Sequence, residues 1–404
     1  MVKNIAWMEA REMLLSRVLP VETETVSLKD CPGRVLGMEL KAEQDIPPFD
    51  RSPYDGYAFI ASDTSSASKE EPAVLRVIGK TAAGQMPEER VTPGTAVKIL
   101  TGAPIPQGAD AVCMYEETLF TEDTVTIFRS FRQGENVVYA GEDVRKGTVL
   151  AHRGDVIDPG IAGSLAAQGK TAPCLYRIPR IGLISTGSEV VEADKPQGEG
   201  KIRNSNRYML EAALLREGLQ PVFLGLAEDD IPSIEKLIRK GASDCDAVIL
   251  TGGVSVGDYD LTPAAMEAAG CEMLFQRVDL KPGMACAYGM LKGKAVCALS
   301  GNPASALTNY YAITLPALKK LAGRRQFLPE EITVTLRNGF GKKSKATRIL
   351  RGHLDLTRGD VGMTLSQEQG NAVLSSAIGC DVAAVIPAGS GKLEPGTRLK
   401  GFLL

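Results

Sequence analysis

Hydrophobic positions change their period several times along the chain. Ile5, Met8, Met13, Leu15 and Val18 recur at helical spacing with Pro20 beyond them, which predicts an amphipathic helix over residues 5–18. From about Asp45 to Asp143 the pattern becomes short β-type runs (74–78, 96–100 and 124–128) separated by Gly and Pro, and predicts a mostly β region. Within it, Ser62 to Glu71 is polar, Ser-rich and without period, and reads as an exposed loop. Residues 144–180 are a Gly-rich connection holding one helix, 161–168, which Gly169 would cap. If that helix packs beside the opening one, the β region is an insertion.

From Arg180 onward strand and helix alternate: strands at 180–185, 221–225 and 246–251, helices at 206–217, 232–241 and 261–269. A further strand at 295–299 leads through Ser300-Gly301-Asn302-Pro303 into a helical segment reaching Leu321. Such alternation predicts a parallel sheet covered by helices. Beyond Gly323-Arg324-Arg325, runs at 332–336 and 382–387 predict a small β domain. The expected fold is multidomain α/β plus β, with a central doubly wound α/β domain. Its parts are 1–45 with 144–175, an inserted mostly β domain at 46–143, the α/β domain at 176–325, and a C-terminal β domain at 326–404.

Composition narrows the function. A chain of 404 residues exceeds what one core usually serves. With 46 basic against 49 acidic residues and no long run of either sign, it lacks the electrostatic footprint of a nucleic-acid binder. The charged N-terminus has no signal-peptide pattern and no apolar stretch approaches a membrane span, so a cytoplasmic location is expected. Eight cysteines without a C-x-x-C pair read as reduced, mostly buried thiols. His152 and His353 are the only histidines, which leaves little room for a histidine-based triad.

Candidate chemistry concentrates where strands run into loops. Ser185-Thr186-Gly187-Ser188-Glu189 and Thr251-Gly252-Gly253-Val254-Ser255-Val256-Gly257-Asp258-Tyr259-Asp260 lie about sixty residues apart, each closing an apolar run. In open α/β sheets ligands bind beyond the carboxyl ends of the strands, and small residues there let backbone N–H groups approach an anion. A phosphorylated small molecule is therefore the expected ligand.

The order of motifs resembles the molybdopterin molybdenumtransferase family, which includes the bacterial enzyme and the E domain of gephyrin. The resemblance covers almost the whole chain. It rests on residues 47–58 (PPFDRSPYDGYA), 101–106 (TGAPIP) with 108–112 (GADAV), 134–137 (GENV) with 141–143 (GED), 185–189 (STGSE) and 251–258 (TGGVSVGD). What it implies is insertion of molybdenum: adenylylated molybdopterin and molybdate give molybdenum cofactor and AMP, with Mg²⁺ assisting. It further implies an elongated homodimer, its active site between the α/β domain of one subunit and the inserted β domain of the other, and an adenylyltransferase partner that supplies the ligand.

Residue by residue, two readings stand at most positions. Asp55 and Asp143 are turn-capping carboxylates by local sequence, while the resemblance makes them acidic cleft residues that help hold Mg²⁺ or orient water. Glu189, Asp258 and Asp260 are candidate metal ligands; Asp260 also stands two residues before the helix start at Thr262-Pro263, as a cap would. Hydroxyl and backbone donors of Ser185, Thr186, Gly187, Ser188, Thr251, Gly252, Gly253 and Ser255 suit phosphate and pterin, or form ordinary tight turns. Asn204-Ser205-Asn206 is a helix cap by sequence. The resemblance sets Asn204 where active members commonly carry Asp, and an amide cannot neutralise a metal.

Lys281-Pro282-Gly283 resembles a Lys-Pro-Gly-Lys-Pro motif that serves the anionic ligand and molybdate, with Met284 replacing the second lysine and Ala285 the second proline. Lys281 is the expected anion binder, or else a solvated lysine. Gly301, Asn302 and Ser305 match the family's Pro-Gly-Asn-Pro-Val-Ser, with Ser300 in place of its first proline; Ser305 also fits an ordinary first helical turn. Arg348 and Arg351 match a segment with two arginines, one of them an oxyanion contact, although basic residues at 342, 343, 345, 348 and 351 also fit a solvated hairpin face. Cys380 departs from the usual Ala-Asn. The leading expectation is a Mg²⁺-dependent insertase; the alternatives are a paralogue that carries a pterin or nucleotide without turnover, and a hydrolase that cleaves a pyrophosphate without molybdate.

Overall fold

Backbone direction within one seven-stranded sheet decides where a ligand can bind. In the computed structural model, which describes residues 2–255, 261–357 and 359–404, the chain forms two units. One comprises Met1–Met38, Arg153–Ala162 and Ala172–Leu404; the other comprises Glu39–His152 and Gly163–Thr171.

The sheet of the first unit contains β1 (Val2–Ile5), β2 (Arg180–Thr186), β3 (Gln220–Ala227), β4 (Ala247–Thr251), β5 (Glu272–Val278), β6 (Cys286–Leu291) and β7 (Lys294–Leu299), in the spatial order β1-β5-β6-β7-β4-β2-β3. Strands β3, β2, β4 and β7 are mutually parallel. All five residues of β4 are buried, as expected for a strand covered on both faces. Alternation along the strands feeds two cores. Leu183 and Ile249 pack with Leu210, Leu214 and Ile313, whereas Ile184, Val248 and Leu250 pack with Ile234, Ile238 and Met266. The helices supplying these residues are α1 (Trp7–Leu15), α2 (Ser205–Arg216), α3 (Ile231–Asp244), α4 (Thr262–Ala268) and α5 (Pro303–Asn309), the last continuing through a wider π turn at Tyr310–Thr314 into Leu315–Leu321.

One strand, β6, differs from the expectation of an all-parallel sheet. Strands β5, β6 and β7 form an antiparallel meander, and β1 adds to its edge in parallel with β5. Residue Ile5 satisfies a helical pattern and a buried strand end equally well, so the opening helix begins only at Trp7. Strand β6 is buried throughout and carries no alternation by which it could be read.

The C-terminal strands Glu331–Leu336, Gly362–Leu365, Arg348–Asp355, Val382–Ile386 and Arg398–Leu403 close into a barrel in that order. Val334, Leu350, Met363 and Ala384 fill it, while Ile349, Ala383 and Phe402 pack into the core on the α1 side of the large sheet.

The second unit is built on a six-stranded sheet ordered Ala111–Met114, Gly56–Phe59, Thr95–Ile99, Ala73–Thr81, Thr124–Ile127, Thr118–Phe120. Tyr57, Phe59, Leu75, Val125, Ile127 and Phe131 form its core. Residues 39–45 and 144–152 belong to this unit, joined by the pairing of Leu40–Lys41 with Val149–Ala151. Gly169 ends its helical segment at φ 69°, with Lys170 N–H donating to Leu165 O at 2.9 Å. The polar stretch 62–71 is mostly loop. Thr64 within it is fully buried, its hydroxyl donating to Ala61 O and accepting from Phe131 N–H.

All eight cysteines are free and six are buried. Burial pushes the Cys113, Cys286 and Cys297 thiols up to about 12, which leaves them protonated and unreactive at neutral pH. Among the described residues, no helix is long and apolar enough to cross a membrane.

Candidate functional site

At the carboxyl ends of β2, β4 and β7 lies a cleft of about 570 Å³. The loop after β2 supplies Ser185, Thr186, Gly187 and Glu189 to its wall; the loop after β4 supplies Thr251, Gly252, Gly253, Val254 and Ser255; the loop after β7 supplies Ser300, Gly301 and Asn302. Asn204, Ser205 and Asn206 bring the N-terminus of α2 to the same wall, and Pro303 brings that of α5. Two helix starts aimed at one cavity favour an anionic ligand.

Hydrogen bonds between the loops hold this wall in place. Thr186 Oγ1 donates to Thr251 O at 3.3 Å, Thr262 Oγ1 donates to Gly252 O at 2.9 Å, and Gly252 N–H donates to Leu299 O at 3.0 Å. Gly252 has φ 105°, and a Cβ there would collide with Thr186 Oγ1. Only glycine gives this turn while admitting the neighbouring loop.

Asn204 is 3 % exposed and fully engaged. Its Oδ1 accepts from Ser185 Oγ at 3.1 Å and caps α2 through Arg207 N–H, while its Nδ2 donates to Glu192 Oε1 at 2.8 Å. Arg207 in turn holds Glu192 Oε2 at 2.6 Å. A carboxylate at position 204 would face the carboxylate of Glu192, which gives a physical reason for the amide here. Both the capping role and the place in the cleft wall therefore hold for this residue.

Two carboxylates reach the described wall, Glu189 and Asp229. Glu189 is exposed, and its side chain takes part in no hydrogen bond or ion pair among the described residues. Asp229, which the sequence reading missed, accepts from Ser188 N–H at 2.8 Å. The signal was available: an Asp-Asp pair one residue beyond the end of β3, the second of which, Asp230, caps α3. Asp258 and Asp260 lie outside the described residues, and the N-cap of α4 is Leu261. No three His, Cys, Asp or Glu side chains gather as a ready metal site among the described residues.

The basic candidates sit elsewhere in the first unit. Lys281 is exposed, and its segment is tied to the barrel through Lys281 N–H to Thr347 O at 2.8 Å and Ile349 N–H to Lys281 O at 2.9 Å, which sets Arg348 opposite it. Gly283, at φ 111°, receives the Asn309 Nδ2 on its carbonyl at 2.8 Å; a Cβ there would stand 2.7 Å from Asn309 Oδ1. Asn309 is the last residue of α5, about 9 Å along the helix from Pro303 on the cleft wall.

Arg277, also missed from sequence, adopts φ 65° and places its Nη2 3.3 Å from Met284 Sδ. A guanidinium thus lies beside the thioether that replaces the expected ammonium. Neither Arg277, Lys281, Arg348 nor Arg351 pairs with a carboxylate among the described residues. Arg351 is 2 % exposed, donates to Ser376 Oγ at 2.8 Å, and has its pKa lowered by burial, so it is no part of a solvated hairpin face.

Ser305 is buried in the first turn of α5 and Ser188 is exposed on the rim; neither forms the cleft wall. Cys380 lies 3.2 Å from Ser366 Oγ, in the neighbourhood of Arg351. Asp55 and Asp143 belong to the second unit. Asp55 Oδ1 accepts from Thr101 N–H at 2.6 Å and Thr101 Oγ1 at 2.8 Å, and these bonds hold its carboxyl below the ordinary range. Asp143 is exposed, with its backbone N–H on Ile46 O.

Comparison with known proteins agrees with this architecture. Residues 5–169 match the model of the MoeA N-terminal region (domains I and II), and residues 182–320 match a probable molybdopterin binding domain. A molybdopterin molybdenumtransferase of Staphylococcus epidermidis is 36 % identical over 357 residues, covering 88 % of this chain and 85 % of the relative. One from Staphylococcus aureus is 34 % identical over 388 residues, 96 % and 93 % of the two chains. The crystal structure of the molybdopterin biosynthesis moeA protein from Pyrococcus horikoshii superposes with a TM-score of 0.86 at 30 % identity, over 99 % of this chain and all of that one.

Proposed function

Because the chain belongs to the MoeA family of molybdopterin molybdenumtransferases, enzymes of molybdenum cofactor biosynthesis, we propose that it inserts molybdenum from molybdate into adenylylated molybdopterin with release of AMP. The observation that carries this reading is the cleft at the carboxyl ends of β2, β4 and β7, with the starts of α2 and α5 in its wall. Helix N-termini and close-packed glycine loops suit the phosphates of a pterin nucleotide. Lys281, Arg277 and Arg348, cations without acidic partners, suit a tetrahedral oxyanion. Catalysis by such a site is chiefly positioning and electrostatic stabilisation of separating charge.

The donor set fits Mg²⁺. Hard divalent cations take carboxylate and hydroxyl oxygen, and Glu189 offers an unengaged carboxylate on the same wall as Asp229. These two would hold the ion together with Asp258 or Asp260, and its charge would offset that of the phosphates. The amide of Asn204 already has its partners and is left out of this set. A homodimer, roles for Asp55 and Asp143 in the assembled site, and delivery of the ligand by an adenylyltransferase complete the proposal; these three rest on family resemblance.

AMP release from adenylylated molybdopterin under anaerobic conditions, with and without Mg²⁺ and molybdate, tests the reading. Release that needs both ions, is lost in Glu189→Gln and demands more molybdate in Lys281→Ala supports insertion. Tight binding without release would leave a carrier instead.

A further inference from the structure

Among the buried side-chain polar atoms of the described cleft wall, one lacks a hydrogen-bond partner. Asn206 is 8 % exposed, and its Nδ2 donates to Gly301 O at 2.8 Å across the loop after β7. Its Oδ1 is buried and has no partner among the described residues. The orientation of the amide is fixed, because exchanging O and N would set two acceptors against each other at Gly301. An acceptor in that state is costly, and in a ligand cleft the missing donor is expected from the ligand.

We propose that Asn206 is a specificity-determining residue that accepts a hydrogen bond from an exocyclic amino group on the heterocycle of the bound ligand. The chemistry selects this class. The esterified phosphates of a pterin nucleotide and the molybdate dianion carry only acceptors at neutral pH and so cannot satisfy Oδ1. An aminopyrimidinone or aminopurine edge presents planar N–H donors. The helix starts then take the anionic part of the same molecule while Asn206 reads the ring. A site built to accept from a ligand N–H rejects the analogue that lacks it, because its own buried acceptor is then left unpaired. The inference rests on the reading of the cleft as a pterin-nucleotide site and deepens it.

The amino group belongs either to the pterin or to the adenine, and calorimetric titration of the full-length protein separates them. One pair of probes is AMP against inosine monophosphate; the other is pterin against lumazine, which has oxygen in place of the 2-amino group. The wild-type protein is expected to favour the amino-bearing member of one pair by roughly tenfold or more, and the pair that responds identifies the ring. Asn206→Leu should erase the preference. Asn206→Asp retains an acceptor while losing the bond to Gly301, and should keep the preference within about threefold; a purely structural role would harm both variants alike.

Absence of preference in both wild-type pairs would overturn the proposal without recourse to any variant, as would a preference that survives in Asn206→Leu. Titration with Mg²⁺ alone that is weakened in Asn206→Leu, with ring preference unchanged, would reassign the oxygen to the cation. None of these titrations requires turnover, so a failure of molybdenum insertion and a failure of this inference are read separately.

Discussion

The two ends of strand β4 are built on opposite principles. At its amino end, Asp246 receives both terminal nitrogens of Arg177 at 2.6 Å and the N–H of Arg180 at 2.8 Å, and Arg177 also holds Glu22. Burial alone would raise the Asp246 carboxyl, but these hydrogen bonds outweigh it and hold the group below its ordinary range. At its carboxyl end, Thr251 opens onto a wall where Glu189 has no cation, and elsewhere in the same unit Lys281, Arg277 and Arg348 have no acid among the described residues. Charge at the amino end is satisfied inside the protein and serves stability. Glu189 and these cations lack such partners among the described residues, and in the proposed function they meet the ligand.

The largest effect expected from breaking this contrast is at Gly252. Gly252→Val puts a side chain into Thr186 at a positive φ, and displacement of the loop by about 1 Å is enough to cost on the order of 100-fold in AMP release. Thermal unfolding should shift far less than activity does. Next, Lys281→Ala and Arg277→Ala each remove a charge-assisted contact to oxyanion, and should raise the KM for molybdate roughly 10- to 100-fold while changing that for the pterin nucleotide little. Equal changes in both constants would place these residues outside the oxyanion subsite.

At the amino end the effect appears in stability. Arg177→Met should lower unfolding stability by about 1–3 kcal/mol near neutral pH in urea titrations, since it leaves a largely buried carboxylate with fewer partners. Asp246 has a depressed folded pKa, so its contribution is present above the unfolded value of about 3.9 and is lost as pH falls through the folded one. The gap between wild type and variant should therefore narrow in acid. The smallest effect is at Met284. Because Arg277 already supplies a cation beside it, Met284→Lys should change the KM for molybdate by less than about threefold, the added charge being offset by repulsion from the guanidinium.

The same contrast shows what the sequence could reveal. Parallel strands and their helices were readable because alternation and Gly or Pro punctuation are local, and the loops after β2, β4 and β7 declared themselves by small residues in a row. The antiparallel meander was hidden, since β6 is buried on both faces and β1 shares its pattern with a helix start. Asp229 could have been found from its position after β3. Arg277 could not, because its relation to Met284 depends on a positive φ and on the return of the chain through the turn at 281–284. Arg351 looked like a surface charge because its burial is made by the barrel and by Thr308, far away in sequence.

The central claim is that the unpaired charges and glycine loops at the carboxyl side of the sheet form one site for pterin nucleotide and molybdate. Its most direct test is to quantify, in a single anaerobic reaction, AMP released and molybdenum taken up into pterin. Equal amounts, with no AMP formed when molybdate is omitted, are the predicted result. AMP formed in excess of incorporated molybdenum, or without molybdate at all, would show a pyrophosphate hydrolase and contradict the account.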